Sequence, residues 1–271
     1  MKICLTIQLK IKKMNEYFVL TGASSGIGYE MAHELAAKKM NLILVARTET
    51  KLQQMQAELT DKYGILVQYF AADLTDVNAA TGLYKAVKQE NYLVTGLINN
   101  AGVGNYGNFI ETSLEEELSM IELNISSLVA LTKLFAKDMV SRKSGRIMNV
   151  SSVVAFLPMP YFAVYSATKA FVKAFSETLA AELDGTGVIV TSLYPGTVDT
   201  GFTTAEMQST NLHKAKPMHP KEVAAQGVKH LLSGKGKKVV GFQNWLNSNL
   251  PRFMPDSIMM RIKKNLASVR S

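Results

Sequence analysis

At 271 residues, 47% hydrophobic and 19% charged, the chain has the balance of a single packed domain and not of a disordered or fibrous protein. Its one cysteine, Cys4, excludes a disulfide framework within the chain and makes a reducing, cytoplasmic setting the expectation. The net charge of +8 sits at the ends, with 12 Lys/Arg against Glu222 and Asp256 in residues 212–271 and +4 in residues 1–13. No zinc spacing or aromatic-rich RNA-binding segment accompanies it, so nucleic acid is not an expected partner.

The opening MKICLTIQLKIKK is followed by no small-residue cleavage site, so residues 1–13 read as an extension ahead of a fold that starts at Met14. No apolar run approaches the ~18 residues of a membrane span. From there, short apolar runs alternate with longer segments of helical period, the pattern of βαβ units. Tyr17–Thr21 is a first strand, and a Gly-rich turn leads into a helix ending near Lys39. Asn41–Ala46 is the second strand, followed by a helix over Glu49–Lys62; Leu66–Ala71 is the third and ends at Asp73-Leu74. After a polar helix, Val94–Ile98 enters Asn99-Asn100-Ala101-Gly102. Thr112 and Ser113 read as caps of a helix to about Met139, with Glu115–Glu117 in its first turn. Gly145–Val150, Val188–Leu193 and a short run from Val239 complete the strands, with a long helix over Tyr165–Leu183. The expectation is one α/β, single-domain Rossmann fold over 14–250. Its doubly wound, mostly parallel sheet of about seven strands has helices on both faces. A basic amphipathic segment follows at 251–271.

Thr21-Gly-Ala-Ser-Ser-Gly-Ile-Gly28 has the context of a dinucleotide turn. Gly22 allows the tight turn, Gly26 a close approach of backbone to a pyrophosphate, and Gly28 close helix–strand packing, with the helix N-terminus facing the phosphates. The spacing is G-x-x-x-G-x-G, whereas the literal G-x-G-x-x-G at Gly102-Val-Gly104-Asn-Tyr-Gly107 lacks the first-strand position and an acidic residue about twenty positions on. At the end of strand two stands Ala46-Arg47-Thr48 with no carboxylate, which suits a 2′-phosphate and favours NADP(H) over NAD(H). Asp73, at the end of strand three, would reach the adenine rim.

Tyr165 and Lys169 lie one helical turn apart, and Ser152 thirteen residues earlier. A tyrosine titrates near pKa ~10, and a nearby cation favours its phenolate, so such a residue can exchange a proton with a carbonyl or alcohol oxygen.

On these residues the chain resembles the short-chain dehydrogenase/reductase superfamily in its single-domain, NADP-linked branch. The matching motifs are TGASSGIG (21–28), Asp73-Leu74, NNAG (99–102), Asn124, Ser152, YSATK (165–169) and PGTVDT (195–200). The resemblance implies an NAD(P)H-dependent oxidoreductase interconverting a carbonyl and a secondary alcohol. It makes Tyr165 the acid/base and Lys169 the group that lowers its pKa and holds the nicotinamide ribose. Ser152 becomes the hydrogen-bond donor to the substrate oxygen, and Asn124 the anchor of a proton-relaying water. Cofactor contacts are implied for Gly22, Ser24, Ser25, Gly26, Ile27, Gly28, Arg47, Asp73, Leu74, Asn100, Ala101 and Gly102. Pro195, Gly196, Val198 and Thr200 border the nicotinamide. LILVARTETKL, PYFAVYSATKAFVKAFSETLAAEL and NWLNSNLPRFMP are similar to a group containing 3-ketoacyl reductases and hydroxysteroid dehydrogenases. That implies an apolar, acyl-chain-like substrate and a homodimer or homotetramer. One departure is Ser25, where many NADP-linked members carry Arg or Lys, so Arg47 would bind the phosphate largely alone.

Two other readings stay open: an NAD-linked alcohol dehydrogenase working oxidatively, and a nucleotide-binding sensor or scaffold without catalysis. His33, His213, His219 and His230 have no metal-ligand spacing, and no metal site is expected. The segment 201–221, with His213, Lys214 and Lys216, reads as a lid over the substrate. Met254, Ile258, Met259, Met260, Ile262 and Leu266 give a C-terminal segment apolar residues at helical spacing, with Arg261, Lys263 and Lys264 on its polar side, suited to packing on protein or to peripheral contact with a membrane.

Overall fold

The structure, a computed structural model, describes residues 16–202, 204–211, 216–250 and 253–268. The expected extension 1–13, Cys4, His213 and Lys214 lie outside the described residues. Seven strands are present: β1 (Glu16–Thr21), β2 (Asn41–Ala46), β3 (Val67–Ala71), β4 (Leu93–Asn99), β5 (Gly145–Val150), β6 (Val188–Tyr194) and β7 (Lys237–Val239). All pair in parallel, in the order β3-β2-β1-β4-β5-β6-β7. The seventh begins two residues earlier than Val239 and joins β6.

The helices are α1 (Gly26–Ala37), α2 (Glu49–Tyr63), α3 (Ala79–Gln89), α4 (Leu114–Ile121), α5 (Leu128–Ser141), α6 (Ala163–Glu182), α7 (Ala205–Gln208), α8 (Pro220–Ser233), α9 (Phe242–Asn249) and α10 (Asp256–Ala267). Strand residues alternate between two cores, which is why the strands read as unbroken apolar runs. Leu42, Leu44 and Leu193 meet Met31 and Leu35 of α1, Leu59 of α2 and Val228 of α8. Ile43, Val45 and Val190 meet Leu83 of α3, Phe135 and Met139 of α5, and Leu179 of α6. Each such fully buried side chain contributes roughly 2 kcal/mol of apolar burial.

The helix expected from Thr112 to Met139 is one continuous element of 28 residues, Leu114–Ser141. It is not uniform: between α4 and α5 the residues Glu122–Ser127 form a π-turn. Ser113 caps its start by accepting the Glu116 N–H at 3.4 Å. By length and composition alone this helix would suffice to cross a membrane. Scattered polar residues such as Glu122 and Lys133 break up its apolar run in the sequence. Leu128, Leu131, Phe135 and Met139 are buried against the sheet, which is the packing of a core helix.

β1 has β2 on one side and β4 on the other, so the strand order reverses between β1 and β4. In open α/β sheets, ligands lie in the crevice beyond the carboxyl ends at that switch point.

Candidate active site

At the carboxyl end of β1 the chain turns through Gly22, whose φ is +64°, and enters α1. A Cβ on Gly28 would stand 2.1 Å from the Gly22 carbonyl oxygen, so only glycine lets helix and turn close on each other. Asn100 locks the turn to β4. Its Nδ2 donates to the carbonyls of Thr21 (3.1 Å) and Gly22 (3.2 Å), and Thr21 Oγ1 accepts the N–H groups of Asn100 and Ala101, each at 3.0 Å. Ser24 is half-buried, Ile27 packs on the core, and Ser25 is exposed at the N-cap of α1 without a side-chain capping bond. With no acidic residue in that first turn, the helix presents its N–H groups and positive end to an anion.

Arg47 is exposed beyond β2, and Leu74 is buried beside Asp73. The Asp73 carboxyl is held below the usual carboxylate range, chiefly by the Thr75 backbone N–H at 3.1 Å. The Thr75 hydroxyl and the Arg47 charge add to this, against partial burial. The arginine and the end of β3 therefore share one rim of the crevice.

Buried polar pins hold the centre of the sheet. Asn99 Nδ2 donates to Thr132 Oγ1 (2.9 Å) and Asn149 Oδ1 (2.8 Å), and Asn149 Nδ2 donates to Ser176 Oγ (2.9 Å). Such a network fixes how β4, β5, α5 and α6 register on one another. The π-turn places Asn124, buried, next to Val103. Its Oδ1 accepts the Val103 N–H (3.0 Å), and its Nδ2 donates to the Val103 carbonyl (2.9 Å) and Thr168 Oγ1 (3.1 Å). The Asn124 amide is thus largely committed to protein groups. π-turns occur often at functional sites because they turn one residue out of helical register. A Cβ at Gly102 would lie 3.0 Å from Asn124 Oδ1 and 3.2 Å from Lys169 Nζ, so this glycine lets both polar groups reach one point.

The two serines after β5 have opposite orientations. Ser151 Oγ donates to the Lys169 carbonyl at 2.8 Å, whereas Ser152 Oγ accepts the Val154 N–H at 3.4 Å and lies near enough to the Tyr165 hydroxyl to favour its ionised form. Lys169 Nζ donates to the Val150 carbonyl at 3.2 Å and lies 5.9 Å from the Tyr165 ring centroid. The cation is therefore over the ring and not at the phenol oxygen. Burial pushes the Tyr165 hydroxyl up to about 12, with the neighbouring Ser152 hydroxyl pulling the other way, and pushes Lys169 down to about 8. The expected lowering of Tyr165 by Lys169 is therefore reversed in the protein alone, because desolvation outweighs any help from the lysine. Tyr165 is a protonated acid at neutral pH.

The segment after β6 folds over both halves of the crevice. The Pro195 carbonyl accepts the Val153 N–H at 2.9 Å, and a Cβ on Gly196 would be 2.3 Å from Asn244 Nδ2 of α9. Val198 pairs with Met218, and Thr200 lies against Gly26. Phe202 packs on Tyr165 with its ring tilted and the centroids 5.6 Å apart, and a Cβ on Gly104 would come within 2.7 Å of the Phe202 ring. Tyr165 then continues into an apolar cluster with Met120, Val154, Met159, Phe162, Met207 and Ala267.

Ala267 belongs to α10, which is tied down at its end. Tyr106 Oη donates to the Ala267 carbonyl (2.8 Å), Asn211 Nδ2 to the Asn265 carbonyl (2.9 Å), and the Asn211 N–H to the Ser268 carbonyl (3.1 Å). The C-terminal helix is thus packed on the apolar cluster around Tyr165. Of the histidines, His219 caps α8 by accepting the Lys221 N–H, His230 bonds the Gly236 carbonyl, and His33 sits beside Glu58. Sequence reasoning missed Tyr106, Phe202, Met207, Asn244 and Ala267. Tyr106 and Ala267 are 161 positions apart, and no spacing rule reaches that far.

The reversed strand order and a buried Ser–Tyr–Lys set at the carboxyl edge define a dinucleotide-fold protein with an acid/base centre. The short chain dehydrogenase family profile matches residues 16–211, and the chain belongs to that family. The 17-beta-hydroxysteroid dehydrogenase type 3 of Mus musculus is 36% identical over 198 residues, 71% of this chain and 63% of that protein. The match therefore spans just under two thirds of that relative's length. The very-long-chain 3-oxoacyl-CoA reductase of Mus musculus is 31% identical over 260 residues, 94% of this chain and 81% of that protein. A short-chain dehydrogenase from Sphingobium yanoikuyae, solved in complex with NADPH, superimposes with a TM-score of 0.77 at 27% identity, covering 89% of this chain and 97% of that one.

Proposed function

We propose that the protein is an NADP(H)-dependent oxidoreductase interconverting a ketone and a secondary alcohol on an apolar substrate. The observation that carries this is the buried cluster of Ser152, Tyr165 and Lys169 beside the Gly22–Gly28 turn. When bound, NADPH supplies a hydride. Tyr165 Oη gives its proton to the substrate oxygen, and Ser152 donates a hydrogen bond to the same oxygen as its negative charge develops. The Lys169 ammonium offsets the tyrosinate left behind and holds the ribose hydroxyls. Asn124, bonded to Val103 and Thr168, holds the segment beside Lys169 in place. Oxidation of the alcohol runs these steps backwards.

NADP(H) is favoured by Arg47 and by the lack of a carboxylate at the end of β2, in line with the NADPH-bound relative. The apolar cluster around Tyr165 favours a carbonyl on a hydrocarbon skeleton, in line with relatives named for acyl-CoA and steroid substrates. The chain also acts as a homodimer in this reading, since α4 and α6 leave Leu114, Leu118 and Phe171 exposed.

The test is loss of NADPH absorbance with steroid ketones, 3-ketoacyl thioesters and small ketones, for the native chain and Tyr165→Phe. Reduction by the native chain with loss in the variant supports the reading. NADPH binding with no turnover on any carbonyl would favour a nucleotide-binding sensor.

A further inference from the structure

α9 turns its polar side inward and its apolar side to water. Asn244 packs against Gly196 and Ser248 is buried, whereas Phe242, Trp245 and Leu246 are 76%, 51% and 45% exposed. These three occupy positions i, i+3 and i+4, one face of the helix. The Phe242 and Trp245 rings stack at 6.0 Å, and the chain continues to exposed Leu250 and Phe253. An apolar patch of this kind marks an interaction surface.

Charge identifies what covers it. From Val223 to Pro255 the sequence has no carboxylate, yet it carries Lys229, Lys235, Lys237, Lys238 and Arg252. β7 bears Lys237 and Lys238 and packs against α9, and Lys235 is exposed just before it. Lys237 is partly offset by Glu177 at 3.3 Å. A second copy docking through the same face would set like charges against one another. An anionic bilayer offers what both features need, a negative surface over an apolar interior.

We propose that α9 docks on an anionic lipid surface, with Phe242, Trp245 and Leu246 entering the headgroup boundary and Lys235 and Lys238 meeting lipid phosphates. The docked face lies on the element whose Asn244 touches Gly196, so the crevice would open close to the bilayer. An apolar substrate could then reach the pocket without crossing bulk water.

Trp245 is the only tryptophan in the chain, so its emission reports this face alone. Full-length protein with vesicles of phosphatidylcholine containing about one third phosphatidylserine should co-sediment and show a blue-shifted emission. Binding should fall about tenfold or more in about 1 M salt, where the screening length shrinks to about 3 Å. The double change Phe242→Ser and Leu246→Ser should weaken binding by about tenfold. Its melting temperature and NADPH binding should stay unchanged, because both side chains are exposed. Absence of binding and of any emission shift at low salt overturns the proposal. So does equal binding to pure phosphatidylcholine, or an oligomer in size-exclusion chromatography that the double variant dissociates.

Discussion

Replacing Lys169 by methionine removes a cation whose burial brings its titration from 10.5 down to about 8. Between those two values the unfolded chain holds a proton that the folded chain has lost, so folding stability rises with pH across that window. Below about pH 8 both states are protonated and the full penalty of burying the charge is present. A shift of roughly 2.5 units at about 1.4 kcal/mol each puts that penalty near 3 kcal/mol. Methionine also leaves the Val150 carbonyl without its donor, which costs about 1 kcal/mol. Lys169→Met should therefore stabilise the apoprotein by about 2 kcal/mol at neutral pH while abolishing turnover. Urea denaturation of both proteins, without NADPH, at several pH values from about 7 to 10 measures this. The wild type should gain on the variant by up to about 1.4 kcal/mol per unit above pH 8, with a flat difference below it. A difference independent of pH throughout would refute the reasoning, because it would mean that Lys169 does not enter the fold as a buried cation.

Tyr165→Phe should lower carbonyl reduction by about 10²–10⁴-fold while NADPH fluorescence titration shows binding retained. Arg47→Asp should cut the NADPH-over-NADH ratio of kcat/KM by about tenfold or more, since a charge-assisted phosphate contact becomes a repulsion. Tyr106→Phe removes the bond to the Ala267 carbonyl and should cost about 1 kcal/mol in chemical denaturation. It should also raise KM for long-chain carbonyls and leave small ketones unaffected. Gly28→Ala forces a Cβ to within 2.1 Å of the Gly22 carbonyl, so the turn must open and NADPH affinity should be lost in the same titration.

The strands and the chemistry-bearing motifs were readable because each is local. Unbroken apolar runs mark strands buried on two faces, and the Gly22–Gly28 turn, Tyr165 and Lys169 are fixed by short spacings. What stayed hidden depends on three dimensions. The sign of the Tyr165 shift needed the depth of its burial, which no spacing reveals. Ala267 and Met207 join Tyr165 only after the chain has folded back on itself. The π-turn leaves no mark in hydrophobic period, because Glu-Leu-Asn-Ile-Ser-Ser reads as ordinary helix.

That π-turn gives the long helix two independent registers. A residue added to a helix rotates everything beyond it by about 100°, and the insertion at Glu122–Ser127 stands between the part facing the pocket and the part facing the sheet. α5 keeps Phe135 and Met139 aimed at the sheet whatever happens upstream, while α4 aims Met120 at the pocket. A single-residue deletion within 122–127 should therefore leave the sheet intact yet swing Met120 away and carry Asn124 off Val103. Within this fold, the mouth of the pocket can be re-indexed without disturbing its foundation.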